Sequence, residues 1–217
     1  MPEDTLIIKT TYKDNKFLPA DYIKTLEDTI HTNPTYYRIY ALGEFCSLDK
    51  LVYTNWEIKE FDTFDGELCV GVDWGFVNDP SVCIAALVND KTRELYIFDE
   101  GYAKGLTNSG VAKMIENHGF AKSDIICDSA EPKSIEEIRR LGIYRAKASV
   151  KGPDSIRMGI DYLQQYKMYV NPKCEHTIEE LQNYSWKKDK QTNEYTNVPV
   201  DEYNHCLDAL RYAIQKI

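Results

Sequence analysis

Three short stretches place acidic side chains where an acid is costly. In VDWGFVNDPS (72–81), Asp73 lies inside an apolar, strand-like run. An ionised carboxylate there costs several kcal/mol unless it is paired or bound to a cation. Gly71 and Gly75 flank it, which leaves room for a close ligand, and Asp79 returns beside the start of the next apolar run. In ICDSAEP (126–132), Asp128 ends a second apolar run just ahead of a helix opened by Pro132, with Glu131 close enough to assist. The carboxyl ends of strands in α/β sheets are where ligands gather. In EYNHCLDALRYAI (202–214), His205, Asp208 and Arg211 recur at i, i+3 and i+6. On a helix they stack along one stripe, beside the apolar face made by Leu207, Leu210 and Ile214.

Each stretch also has a plain structural reading. Asp73 could bond its own turn, Asp128 or Ser129 could cap the following helix, and Asp208–Arg211 could be a surface ion pair. As a set, three carboxylates from separate elements suit hard, oxygen-seeking Mg²⁺ or Mn²⁺. Two such ions roughly 4 Å apart activate a water on one side of a phosphodiester and steady the leaving oxygen on the other. A zinc site from Cys174, His176, His205 and Cys206 is a weaker alternative, because these residues are not paired at finger-like spacing. The six cysteines (46, 69, 83, 127, 174 and 206) form no CxxC. Cys69, Cys83 and Cys127 lie in apolar runs, as reduced core thiols do.

The elements that must position these residues begin at Glu67. ELCVGVDWG, SVCIAALVND and ELYIFDEGYA are strands spaced closely enough for an antiparallel meander, with turns at Asn89–Asp90 and Gly101. A helix over Thr107–His118, capped by Thr107 or Asn108, leads to the strand SDIICDS and a helix over Pro132–Leu141. Then come a strand at Gly142–Ala146, a helix at Pro153–Gln165, a strand at Met168–Val170 and a helix at Glu175–Tyr184. A hairpin over Asn183–Val200 with a polar tip at Asp189–Asn193 precedes the last helix, His205–Ile217. The expected fold is α/β: a mixed sheet, antiparallel meander plus parallel strands, with helices on both faces. That is a ribonuclease H-like layout. Residues 1–60 differ, with a strand at Leu6–Thr11, a helix from Pro19 to about His31 and helical character near Thr35–Tyr40. That segment is too short for a core of its own and reads as the end of a preceding domain plus a linker.

The formal net charge is −9. Residues 130–191 hold twelve Lys and Arg against nine carboxylates, +3, which leaves −12 on the rest. Such a balance rules out simple electrostatic coating of DNA but not a polyanionic substrate. Lys147, Lys151 and Arg157 surround a Gly-Pro turn, and Trp186, Lys187, Lys188 and Lys190 lie on the hairpin. They could touch backbone phosphates, with little base readout. No apolar run approaches the ~18 residues needed to span a bilayer, and MPEDTLIIKTTYKDN is unlike a secretion signal. A soluble, intracellular protein is expected.

VDWGFVNDPS, CDSAEPKSIEEIRR, VKG at 150–152 with SIRMGIDYL, and DEYNHCLDALRYA resemble, in order, the nuclease domain of phage terminase large subunits. TYKDN (11–15) and YYRIYALGEF (36–45) resemble the end of that family's ATPase domain and its linker. The resemblance divides the chain into residues 1–60, ATPase-domain end and linker, and 61–217, ribonuclease H-like nuclease domain. It implies a metal-dependent endonuclease that cuts concatemeric double-stranded DNA with two Mg²⁺ or Mn²⁺ ions. Asp73, Asp128 and Asp208 would be the metal carboxylates, His205 would assist, and Asp79 and Glu131 are further candidates. Double-stranded DNA, the portal protein and the small terminase subunit are the implied partners, in the cytoplasm of the phage's host. The P-loop GxxxxGK followed by Ser or Thr is absent, so the chain reads as a fragment without ATPase activity. Two rivals stand beside this reading. One is a phosphotransferase of the actin and sugar-kinase type, which shares the sheet and GVDWG but needs a second phosphate loop. The other is a non-catalytic docking module for portal or small subunit.

Overall fold

The computed structural model describes residues 10–32, 37–43 and 50–217. The strand expected at Leu6–Thr11 lies mostly, and Cys46 wholly, outside them. The described strands of the main sheet are β1 (Trp56–Ile58), β2 (Glu67–Asp73), β3 (Pro80–Asn89), β4 (Glu94–Lys104), β5 (Ile125–Cys127), β6 (Ala146–Ala148) and β7 (Lys167–Val170). Their order is β1-β7-β4-β3-β2-β5-β6. The meander β2-β3-β4 is antiparallel, as its tight spacing requires. β5, β6, β7 and β1 join in parallel, through crossovers that carry the helices.

The described α-helices are α1 (Ala20–Thr32), α2 (Asn108–Asn117), α3 (Pro132–Arg140), α4 (Ser155–Leu163), α5 (Glu175–Asn183) and α6 (His205–Ala213), with a π-helical turn at Tyr37–Ala41. Side chains alternate along each strand and so feed two cores. Cys69, Val82, Ile84 and Leu95 pack with Leu163, Leu181, Leu207 and Leu210 on the face covered by α4, α5 and α6. Val70, Val72, Cys83 and Ala85 pack with Ile115 and Ile138 on the face covered by α2 and α3. A sheet covered on both faces yields the unbroken apolar runs seen in β2 and β3.

Five expectations shift. Gly101, expected as a turn, lies inside β4 paired with Cys83. The strand sought at Gly142–Ala146 stands at Ala146–Ala148, because Gly142, at φ 109°, ends α3 and a turn fills the interval. The sheet also takes in residues ahead of 61: Trp56–Ile58 pair with β7, and Val52 and Tyr53 are buried in the core beneath α6. The 183–200 hairpin forms as β8 (Trp186–Lys188) and β9 (Tyr195–Pro199), but Trp186 turns into that core instead of outward. The last helix ends at Ala213 and tightens to a 3₁₀ turn over Ile214–Lys216. In the leading segment, Tyr12, Leu26 and Ala41 form a small cluster of their own.

Candidate active site

The first carboxylate is placed by strand alternation. Cys69, Gly71 and Asp73 share one face of β2, the face that α6 covers. Gly71 lets the helix in: a Cβ there would overlap the Ala209 carbonyl oxygen of α6. The glycine expected to make room for a ligand thus makes room for a helix backbone, which brings Asp208 alongside Asp73. Gly75 has a comparable task in the loop after β2, where a Cβ would overlap the Asp79 and Pro80 carbonyl oxygens. The Ser81 hydroxyl accepts the Gly75 N–H at 3.2 Å and donates to its carbonyl at 2.8 Å, closing that loop.

Asp128 follows β5, one strand over. Its N–H donates to the Val72 carbonyl at 2.9 Å, extending the β2–β5 pairing by one step and setting Asp128 beside Asp73 at the carboxyl end of both strands. The Trp74 indole N–H reaches the Asp128 carbonyl at 3.3 Å. Asp128 also accepts from the Ala130 N–H at 2.9 Å, a bond within its own turn; the helix cap expected as its plain reading does not form, since Glu131 holds the N-cap position of α3.

α6 supplies the rest. Its first turn is held by Glu180 of α5, buried, whose carboxylate accepts the Cys206 and Leu207 N–H groups at 2.8 and 3.1 Å. Burial pushes Glu180 up to about 7. His205 then points Nδ1 at Asp73 Oδ2 (3.2 Å) and Nε2 toward Asp79 Oδ1 (3.8 Å). Asp208 accepts Arg211 Nε and Nη2 at 3.2 and 3.0 Å and Asn204 Nδ2 at 3.4 Å. The anticipated surface Asp208–Arg211 pair is in fact buried: Arg211 is only 3% exposed, and its Nη1 has no hydrogen-bond partner among the described residues.

Electrostatics tie the group together. Burial pushes Asp73 up to about 6, and the charges of Asp208 and Asp128 push the same way. Burial also raises Asp208, with Asp128 adding to it, and the hydrogen bond to Asp73 raises His205. Lys151, from the loop after β6, meets Asp128, and its Nζ lies 5.4 Å from the Tyr212 ring centre.

The remaining candidates fall around this group. Asp79 lines two clefts, one of about 540 Å³ shared with Trp74 and Glu131 and one of about 330 Å³ shared with His176 and His205. Glu131 stands at the start of α3, where it accepts from the Ser134 hydroxyl at 3.3 Å, so it joins Asp79's cleft and is not bonded to Asp128. Lys147 pairs with Asp124, and Arg157 bonds Tyr40 and faces Asp161. Lys187 and Lys188 are exposed on β8. Cys174 and Cys206 are buried, and His176 bonds Glu100 at 3.0 Å. Sequence reasoning missed Glu180, Asn204 and the Lys151–Asp128 contact. Only Glu180 left a trace, as the one acid falling on the apolar stripe of α5 with Thr177 and Leu181.

Among the described residues, no three His, Cys, Asp or Glu side chains already stand arranged to hold one ion. The donor set nevertheless suits a divalent cation in kind. Three carboxylates converge, and Asp73 and Asp208 stay above their ordinary values despite His205 and Arg211 beside them.

The same fold and stretch of sequence recur in known proteins. The nuclease domain of the large terminase of bacteriophage SPP1, solved with bound Mn, superposes with a TM-score of 0.69 at 26% identity. That match covers 76% of this chain and 98% of that one. The large terminase of a thermophilic bacteriophage shares the fold over 95% of this chain and 54% of its own, with a TM-score of 0.68 at 22% identity. In sequence, the chain is 27% identical to the terminase large subunit of Bacillus phage SPP1 over all of its length and 53% of that protein. It is 29% identical to the PBSX phage terminase large subunit of Bacillus subtilis over 97% of its length and 50% of that protein. The chain therefore spans about half the length of the curated relatives it matches. Residues 2–44 match the family described as phage terminase large subunit. Residues 73–216, from the first site carboxylate to the turn after α6, match the terminase RNAseH-like domain. With the mixed sheet, the SPP1 superposition and that span in agreement, the chain belongs to the family of terminase ribonuclease H-like nuclease domains.

Proposed function

We propose that this chain is a metal-dependent endonuclease that cuts concatemeric double-stranded DNA for packaging by a phage terminase. The convergence of Asp73, Asp128 and Asp208 at the carboxyl ends of β2 and β5, with His205 bonded to Asp73, carries the reading. The Mn-bound SPP1 nuclease domain supports the choice of ion. Asp73, Asp128 and Asp208 would hold Mg²⁺ or Mn²⁺, two ions in the active complex, with Asp79 in reserve. When bound, such ions make water nucleophilic and neutralise charge on the departing oxygen. The protein's own part is to hold three carboxylates ionised against their mutual repulsion. His205 orients the Asp73 carboxylate and can take up or release a proton at Nε2, on the side facing Asp79. Lys147, Lys151, Arg157, Lys187 and Lys188 are assigned to backbone phosphates.

Residues 1–60 are proposed to be the end of an ATPase domain and the linker from it, in keeping with the family match over 2–44, with the last part of that linker joining the main sheet as β1. No ATP hydrolysis is expected from this chain. Portal protein and small terminase subunit are the proposed partners of the longer protein in the host cytoplasm. Supercoiled plasmid incubated with Mn²⁺, Mg²⁺ or EDTA tests the central claim. Nicking and linearisation should require the metal and vanish in Asp73→Ala. Metal-independent cutting, or cutting retained in Asp73→Ala, would refute it.

A further inference from the structure

Each site carboxylate already has a basic partner of the protein's own. Asp73 has His205, Asp208 has Arg211, and Asp128 has Lys151. The three differ in how readily they could leave. Arg211 is buried on the same helix as Asp208 and runs across Gly159 of α4, where a Cβ would overlap its Cγ and Cδ. His205 is fixed at the root of α6, beneath Glu180. Lys151 has a side chain 38% exposed, on a flexible four-carbon stem, with the Tyr212 ring face as its other neighbour.

The backbone beneath Lys151 is nonetheless anchored. The Val150 N–H donates to Gln215 Oε1 at 2.7 Å, and the Val150 carbonyl accepts from Gln215 Nε2 at 3.2 Å. The Ser149 N–H donates to the Cys127 carbonyl at 2.7 Å, and the Ser149 hydroxyl accepts the Ser129 N–H at 3.1 Å. The result is a fixed base with a swinging arm, set over the one site carboxylate whose partner is neither helical nor buried.

We infer that Lys151 is the exchangeable counter-ion of this site: it holds Asp128 while no divalent ion is bound, yields Asp128 to the ion, and then engages a DNA phosphate. The inference rests on the nuclease reading above. It makes ion and lysine competitors at Asp128, and makes the lysine's contact with DNA conditional on the ion.

Calorimetric titration of Mn²⁺ into the full chain tests the first half. A partly exposed ion pair contributes up to about 1 kcal/mol, so Lys151→Gln should bind Mn²⁺ up to about fivefold more tightly than the parent. Lys151→Met, which keeps the stem without the charge, should behave the same way. Equal or weaker affinity in both variants would overturn the exchange. The second half is read from duplex binding against salt concentration, in non-cleaving Ca²⁺ or in EDTA. The parent should show a log–log slope steeper than Lys151→Gln by about one phosphate contact in Ca²⁺, and the same slope in EDTA. A slope difference of equal size in both conditions would make Lys151 a plain phosphate contact and overturn the conditional role. If the parent takes up no Mn²⁺ and cuts no plasmid, the nuclease reading itself falls. If it does both while the variants match it, only the role of Lys151 falls.

Discussion

Burial pushes the Asp73 carboxyl up to about 6, from an ordinary value of 3.8. The folded chain therefore holds this proton more tightly than the unfolded chain does. The stability it contributes is full below the unfolded value and is lost as pH rises through 6. At neutral pH the ionised side chain works against the fold, which is the cost of keeping an acid ready for a cation. Asp73→Asn should thus stabilise the metal-free protein in EDTA by about 1–3 kcal/mol at pH 7.5, and by progressively less toward pH 4. Urea unfolding at several pH values checks this, and a pH-independent difference would show that burial of the charge is not its origin. The sequence exposes Asp73 and Asp128 because each interrupts or ends an apolar run, and Asp208 because its spacing puts it on a stripe with His205. It does not reveal that Lys151 reaches Asp128 or that Arg211 is buried, since both depend on neighbours brought in by other elements.

At the level of elements, the site depends on how closely α6 approaches β2. Gly71 sets that distance, because any side chain there would run into the Ala209 carbonyl. Gly71→Ala should destabilise the protein by about 1–3 kcal/mol through overpacking and should lower plasmid cutting by moving Asp208 off its station. An unchanged urea midpoint would refute the close approach. The central strands are legible in sequence because both of their faces are covered, so β2 and β3 are apolar nearly throughout. β1 is not legible. It is three residues long at the sheet edge, half-buried to exposed throughout, and only its pairing with β7 makes it a strand. The misplaced β6 has the same cause: Ala146–Ala148 has one buried side chain and two exposed ones, too little pattern to fix a boundary.

For the molecule as a whole, the two-sided packing leaves the five thiols among the described residues inaccessible. Cys69, Cys83, Cys127, Cys174 and Cys206 are all buried, and burial pushes Cys69, Cys127 and Cys174 up to about 12. At pH 8, iodoacetamide should leave all five unmodified in the native protein and alkylate them once urea unfolds it, as read by peptide mass spectrometry. Rapid native labelling at any of the five would contradict the two-sided core. The seating of α6 on β2 has a further consequence, one of timing. His205 lies 132 positions beyond Asp73 in the chain, and the helix that carries it is the last to follow the strands it covers. During synthesis all seven strands of the main sheet leave the ribosome before any residue of α6. Until that helix docks, Asp73 and Asp128 lack Asp208 and His205, so the carboxylate group of a growing chain stays incomplete until α6 has emerged and settled on β2.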